Sequence, residues 1–330
     1  MSRITHIPLI AAILVAPMAA GCGRQERTQS AGGQSGSVTT TPASTTVESA
    51  SLTPPVVDAP VANVSYADAE QAFHSGKYDE ATRLFAGYTA GHPDNPWGHY
   101  MYGLSAWKSG DNDHAIQAFD EALRLDPNHR KSLLNSARVL LESGKAEEAL
   151  SRIDRAQALD SLSSEGLRLL GRAQYELSRV PEAIDAYQRA LALDDRDVWA
   201  MNNLGLIYIQ QGRSEEALGP LARAVQLRGD VPVFQNNLGQ ALERSGHAVA
   251  ARHAYSSALE VDSTYAKAAA SLTRLGGPVE DAVADSAQTV DLAVISQEFQ
   301  AQIEQWRVSS GQPSTDSQAS TEMVRDSVQE

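Results

Sequence analysis

Three arginines and five asparagines are the residues of this chain best suited to holding another molecule. Arg138, Arg168 and Arg172 carry planar guanidinium forks that match a carboxylate. Asn135, Asn202, Asn203, Asn236 and Asn237 each present a donor and an acceptor, the pair offered by a peptide unit of another chain. Bulky side chains lie among them: Trp97, Tyr100, Met101 and Trp107 in one stretch, Tyr175 in a second, Trp199 in a third. Glu142, Glu165 and Glu176 stand close to the arginines in sequence, so self-neutralisation along the helices is the competing account of those charges.

Bond-making chemistry has no comparable support. The eight histidines form no HExxH or other close ligand pair, and the single cysteine, Cys22, adds nothing to a metal set. No GxSxG elbow and no Gly-rich phosphate loop after a strand occurs. The acidic pairs Asp79-Glu80, Glu147-Glu148 and Glu215-Glu216 fall at helix starts, where they complement the helix dipole. The expectation is a non-enzyme with no cofactor, no metal and no small-molecule substrate. A net charge of −14 without a Lys/Arg-rich run argues against nucleic acid as a partner.

The elements that position these residues follow from a strict repeat. Ala81, Ala115, Ala149, Ala183, Ala217 and Ala251 are spaced by a constant 34 residues, with no insertion or deletion. Counting each unit from residues 62, 96, 130, 164, 198 and 232, position 8 is always small: Ala69, Gly103, Ala137, Gly171, Gly205, Gly239. Position 24 is large: Phe85, Phe119, Ile153, Tyr187, Leu221, Tyr255. A small residue lets two helix backbones approach, and the large one fills the space beside it. Position 15 is Gly except at Ser178, as a left-handed turn between two helices requires. Two such helices cannot bury their apolar faces alone, so the units must stack.

Period and pattern together resemble the tetratricopeptide repeat family, over roughly residues 62–275. The resemblance implies an all-α, right-handed superhelical solenoid of about six helix pairs, with residues 266–275 as a capping helix. Ser136 departs from the large residue usual at its position, and the first unit has a weak first-helix pattern. On each first helix, positions 4, 7, 8 and 11 share the core face, while positions 2, 5, 6, 9, 12 and 13 lie opposite. In this family the opposite face lines a concave surface. The tryptophans, Tyr100, Met101, Tyr175, the arginines and the asparagines named above all stand on it, and the expectation is a groove for a peptide or helix of a protein partner. The asparagines at position 6 are similar to the ladder of the O-linked N-acetylglucosamine transferase repeats, interrupted here by Met101 and Leu169.

Outside the repeats, residues 1–22 read as a targeting segment: Arg3, an apolar run from Ile7 to Val15, then Ala19-Ala20-Gly21-Cys22. The last four resemble a bacterial lipobox, with Ala19 where Leu is usual, and the resemblance implies a lipid on Cys22. A secretory signal cut after Gly21, with Cys22 incidental, is the alternative. Residues 23–61 are rich in Ser, Thr, Gly and Pro and are expected to form a disordered linker. In the 276–308 region, Leu292, Ile295, Phe299, Ile303 and Trp306 mark one face of an amphipathic helix, expected either to fold back on the solenoid end or to receive a partner. Residues 309–330 are polar and expected to be disordered.

The whole resembles bacterial outer-membrane tetratricopeptide lipoproteins. That implies a scaffold for envelope assembly (pilus, secretion or outer-membrane biogenesis), exported and lipid-anchored in the cell or outer membrane facing the periplasm. An adaptor that regulates an envelope protease or peptidoglycan hydrolase would share every one of these features.

Overall fold

The computed structural model describes residues 64–278 and 290–311. The expected targeting segment with Cys22, the linker up to residue 61 and the tail beyond residue 311 lie outside them.

The described residues are all-helical, with no strand among them. The pairs are α1 (Tyr66–His74) with α2 (Tyr78–Gly91), α3 (Pro96–Lys108) with α4 (Asn112–Leu125), and α5 (Arg130–Glu142) with α6 (Ala146–Leu159). They continue as α7 (Ser164–Glu176) with α8 (Val180–Leu193), α9 (Val198–Gln210) with α10 (Ser214–Leu227), and α11 (Pro232–Arg244) with α12 (Ala248–Val261). Then come α13 (Ala266–Arg274), packed on α12, and α14 (Leu292–Ser309). None of these helices is long and apolar enough to cross a membrane.

Local chemistry explains where the helices begin and turn. Ser65, Asn95, His129, Ser163 and Asp197 each accept a backbone N–H from the first turn of α1, α3, α5, α7 and α9. Pro96 and Pro232 open α3 and α11, where a missing N–H costs nothing. The turn inside each pair is left-handed as expected, with φ 75° at Gly212 and 60° even at Ser178.

The small-to-large pairing holds at atomic scale. A Cβ on Gly103, Gly171 or Gly239 would lie 2.8, 2.8 and 2.7 Å from the rings of Phe119, Tyr187 and Tyr255. On Gly205 it would lie 2.5 Å from Leu221. Each of these large side chains is essentially sealed from solvent, so the approach of the two helices is set by the absence of one carbon.

The C-terminal helix packs elsewhere than expected. Its main contacts are with neither α13 nor the position-5/6 face; it lies across α8 and α10, the second helices of units four and five. Its buried face is Ser296, Phe299, Ile303 and Arg307, with Leu292, Ile295 and Trp306 flanking it only partly buried. The seat is shaped for it: Phe299 rests where a Cβ on Gly219 would sit 3.1 Å away, beside the buried Leu218, Pro220 and Ala222. Two polar residues are tolerated in that face because each finds a partner. Ser296 donates to Gln226 Oε1 at 2.6 Å, and Arg307, 4 % exposed, donates through Nε to the Ala192 carbonyl at 2.9 Å.

Candidate partner-binding groove

The face expected to receive a partner is formed by α3, α5, α7 and α9, with α11 continuing it. Much of it is already used between neighbouring units. Asn135 donates to the Tyr100 hydroxyl at 3.3 Å, and Asn237 donates to Asn202 Oδ1 at 2.8 Å. Both bonds join residues 35 apart, so position 5 of one unit meets position 6 of the next. Two turns further along the same helices, Trp107 donates its indole N–H to Glu142 at 2.6 Å and Arg244 donates to the Ile209 carbonyl at 3.1 Å. The Tyr175 hydroxyl pairs with Gln210 in the same way, all three again with a separation of 35. These bonds form two rails, positions 5/6 and 12/13, that lock α3 to α5, α7 to α9 and α9 to α11.

This changes the standing of several residues expected to wait for a ligand. Tyr100, Met101, Asn202, Asn236 and Asn237 are buried, because stacking of the next unit covers them. Asn237 is 6 % exposed and spends its amide on Asn202 while accepting from Asn236 at 3.1 Å. Removing its side chain would leave buried partners unsatisfied, so these three asparagines hold the array together. Burial also raises the Tyr100 hydroxyl above its ordinary range, and it lowers the ring of neighbouring His129, which stays the neutral cap of α5.

The arginines are paired, as the self-neutralisation account holds. Arg138 meets Glu165 and also donates to Asn135 at 2.7 Å; Arg172 donates to Glu176 at 2.9 Å. Arg168 takes a partner the sequence did not suggest, Asp197, at 2.9 Å. Burial raises the Asp197 carboxyl, with Arg168 and the N–H of Ala200 pulling against it. The ion pair therefore repays a desolvation cost at the N-cap of α9.

A hollow of about 600 Å³ stays open on this face. Trp107, Arg138, Arg168, Arg172, Trp199 and Asn203 line it, six of the expected site residues brought together from four helices. Lys108, Glu142 and Leu169 complete the lining. Lys108 lies over the Trp107 ring at 4.6 Å, and its place next to Trp107 at position 13 was the available signal for it. Trp199 is 47 % exposed, one edge resting on Phe234 with ring centroids 4.9 Å apart. Trp97, 46 % exposed, stands apart from the hollow, against His129 and Lys131. No group of three or more His, Cys, Asp or Glu among the described residues is arranged to hold a metal.

Comparison with known proteins agrees with the architecture. Residues 67–170 match the model of the cilia and flagella-associated protein 70 middle TPR-like domain, residues 171–212 a TPR repeat model, and residues 200–228 a tetratricopeptide repeat model. No curated protein matches the chain. Among solved structures, the APC/C hetero-tetramer Cut9–Hcn1 is similar with a TM-score of 0.57 and 20% identity, covering 63% of this chain and 41% of that one. Pseudomonas aeruginosa pilF gives 0.50 and 19%, covering 63% and 88%. MamA of Desulfovibrio magneticus RS-1 gives 0.46 and 23%, covering 49% and 92%. At these identities the likeness concerns the fold. With matched repeat models running from residue 67 to 228 over helix pairs of this geometry, the chain belongs to the tetratricopeptide repeat family.

Proposed function

We propose that this protein is a non-enzymatic scaffold, lipid-tethered to a bacterial envelope membrane, that holds an extended segment or helix of a partner protein in the hollow between Trp107 and Trp199. Tetratricopeptide repeats are protein-interaction modules, and that much follows from the family. The observation that carries the finer reading is the exposed Trp199 ring. On a face where neighbouring units seal most bulky and amide side chains, this large apolar surface is left beside an open hollow. The experiment is Trp199→Ala with two readouts. A buried Trp→Ala typically costs about 3–5 kcal/mol of stability. A half-exposed anchor should cost below about 1 kcal/mol in unfolding while weakening partner capture from solubilised envelope by about 2 kcal/mol or more. If melting collapses as for a core residue, or capture is unchanged, Trp199 is no anchor.

Tethering rests on the sequence Ala19-Ala20-Gly21-Cys22 and the polar stretch after it, which suit a repeat domain held off a membrane. Cys22→Ser is expected to move the protein from the membrane fraction to the soluble periplasmic fraction with its helicity unchanged. A variant that still pellets with membranes after a salt wash would be held by something other than a lipid. An envelope-assembly role is the reading that joins anchor and groove.

A further inference from the structure

The turn between α8 and α9, residues 194–197, is gripped from both sides of the array. On the first-helix side, Asp197 accepts the Ala200 N–H at 3.0 Å through Oδ1, and its other oxygen accepts from Arg168 Nε at 2.9 Å. On the second-helix side, α14 reaches the same turn. Gln300 donates to Asp195 Oδ2 at 2.8 Å, and Arg307 stands 3.9 Å from that oxygen while its Nε bonds the Ala192 carbonyl at the end of α8. The turn is tied into one piece: Arg196 donates its N–H to Asp194 Oδ1 at 3.0 Å, and Asp197 donates its own to the Asp194 carbonyl at 3.2 Å. A force on Asp195 therefore passes to Asp197, and from there to Arg168 and to Trp199 two residues on, both in the wall of the hollow. The anchor points of α14 are peculiar to these two units. Where Asp195 stands, the other turns carry Pro93, Pro127, Ser161, Gly229 and Ser263; where Gly219 stands, the other units carry Arg83, Gln117, Ser151, Asp185 and His253. A carboxylate for Gln300 and a bare backbone for Phe299 thus occur once each, in units four and five, whose first helices bring Arg168, Arg172, Trp199 and Asn203 to the hollow.

Resting on the groove reading above, we propose that α14 is a strap that sets the hollow from behind, with Gln300 and Arg307 as positioning residues that act through Asp195 and the α8–α9 turn to hold Arg168 and Trp199 in place. Covering an apolar seat would need only Phe299 and Ile303; a hydrogen bond to the turn adds direction, which burial lacks. The two states are strap seated and strap lifted. Lifting it lowers the hollow's affinity without altering any lining residue, and by linkage a filled hollow holds the strap down by the same factor.

The test labels the full chain with 5-fluorotryptophan and reads fluorine resonances beside hydrogen exchange. Trp97, Trp107, Trp199 and Trp306 are its tryptophans, and Trp306, edge-on to Phe299 with ring centroids 5.8 Å apart, reports whether α14 is seated. Gln300→Glu sets two carboxylates against each other at the grip. It is expected to shift the Trp199 resonance and to quicken exchange over residues 198–203 at least about fivefold, the low end of ordinary site-to-site coupling, while Trp97 and Trp107 stay as in the parent. Adding Asp195→Asn restores one hydrogen bond with donor and acceptor exchanged, and both readouts should return toward the parent. Ser296→Ala is the control: it removes the bond from the same helix to Gln226 of α10, which does not reach the turn, so α14 should exchange faster with Trp199 unmoved. If Gln300→Glu lowers melting of the whole chain, Gln300→Ala, which only deletes the bond, carries the same comparison. An unchanged Trp199 resonance and unchanged exchange over residues 198–203, whether or not Trp306 responds, would overturn the strap. So would a Ser296→Ala variant that moves Trp199 as far, or a double variant that fails to recover. The groove reading falls separately: if Gln300→Glu moves Trp199 but Trp199→Ala leaves partner capture intact, the coupling stands and the hollow is not the partner's site.

Discussion

Gly205→Leu is expected to unfold the middle of the array. A bare Cβ at Gly205 already meets Leu221 at 2.5 Å, the tightest of the four glycine approaches, and Leu221 is completely buried with no direction in which to yield. A leucine there must push α9 and α10 apart by a side chain's width, a stronger insult than the usual overpacking penalty of about 1–3 kcal/mol. Because each unit rests only on its neighbours, the damage should begin at α9 and α10 and spread to α11 and α8 before it reaches the first units. Hydrogen exchange would read this as lost protection confined at first to residues 198–227, with a drop of about 3 kcal/mol or more in chemical denaturation. The double variant Gly205→Leu with Leu221→Ala should recover part of the loss, since the added side chain then occupies the space vacated. A single variant that melts like the parent would mean that the helices are not held at contact distance there.

The second large effect concerns α14. Gly219→Arg is expected to eject that helix without altering any residue in it. Position 22 of the first unit carries Arg83, and the fifth unit alone has glycine there, under the Cβ of Phe299. Displacing α14 removes the buried Phe299 and Ile303, each worth roughly 1.5–3 kcal/mol of burial before entropy is subtracted. It also takes Arg307 from the Ala192 carbonyl and from its ion pair with Asp195. The result should be a melting temperature lowered as far as by deleting residues 290–330, together with a newly exposed apolar strip at Leu218 and Ala222. Dye binding and light scattering would show that strip, and an additive loss on combining the two changes would mean that α14 was still seated in the Gly219→Arg variant.

Which parts of this architecture were legible in the sequence follows from the range of the interactions concerned. Helix boundaries, the left-handed turn at Ser178 and the fit of Gly205 against Leu221 lie within one unit, and a 34-residue repeat displays them six times. The rails do not show in the same way. Helical geometry alone places positions 5 and 6 opposite the core, and only the offset between successive units turns Asn237 toward Asn202 and away from solvent. The arginines were half legible. Glu176 is near Arg172 in sequence and does pair, whereas Glu165 and Asp197 reach Arg138 and Arg168 from the start of the next unit's first helix. For α14 the period of its apolar residues predicted a helix with a buried face, and the face proved to include Ser296 and Arg307 because their partners come from α8 and α10. The available clue was the departure of unit five from its siblings at Gly219 and Pro220.

The separation of 35 in a chain of period 34 has a consequence for how such an array can be rebuilt. Three junctions carry such a handshake, each with its own pair of residues: Asn135 answers Tyr100, Gln210 answers Tyr175, Asn237 answers Asn202. The units are therefore keyed cassettes, not interchangeable ones. A second copy of unit five inserted after the first would bring Asn203 to the place where Asn237 now serves Asn202, and Gln210 to the place of Arg244, so both joints keep an amide that can close them. Unit four placed after unit two would set Leu169 against the Tyr100 hydroxyl and lose that joint. Duplication in place is thus the tolerant route to a longer array, and shuffling is the costly one.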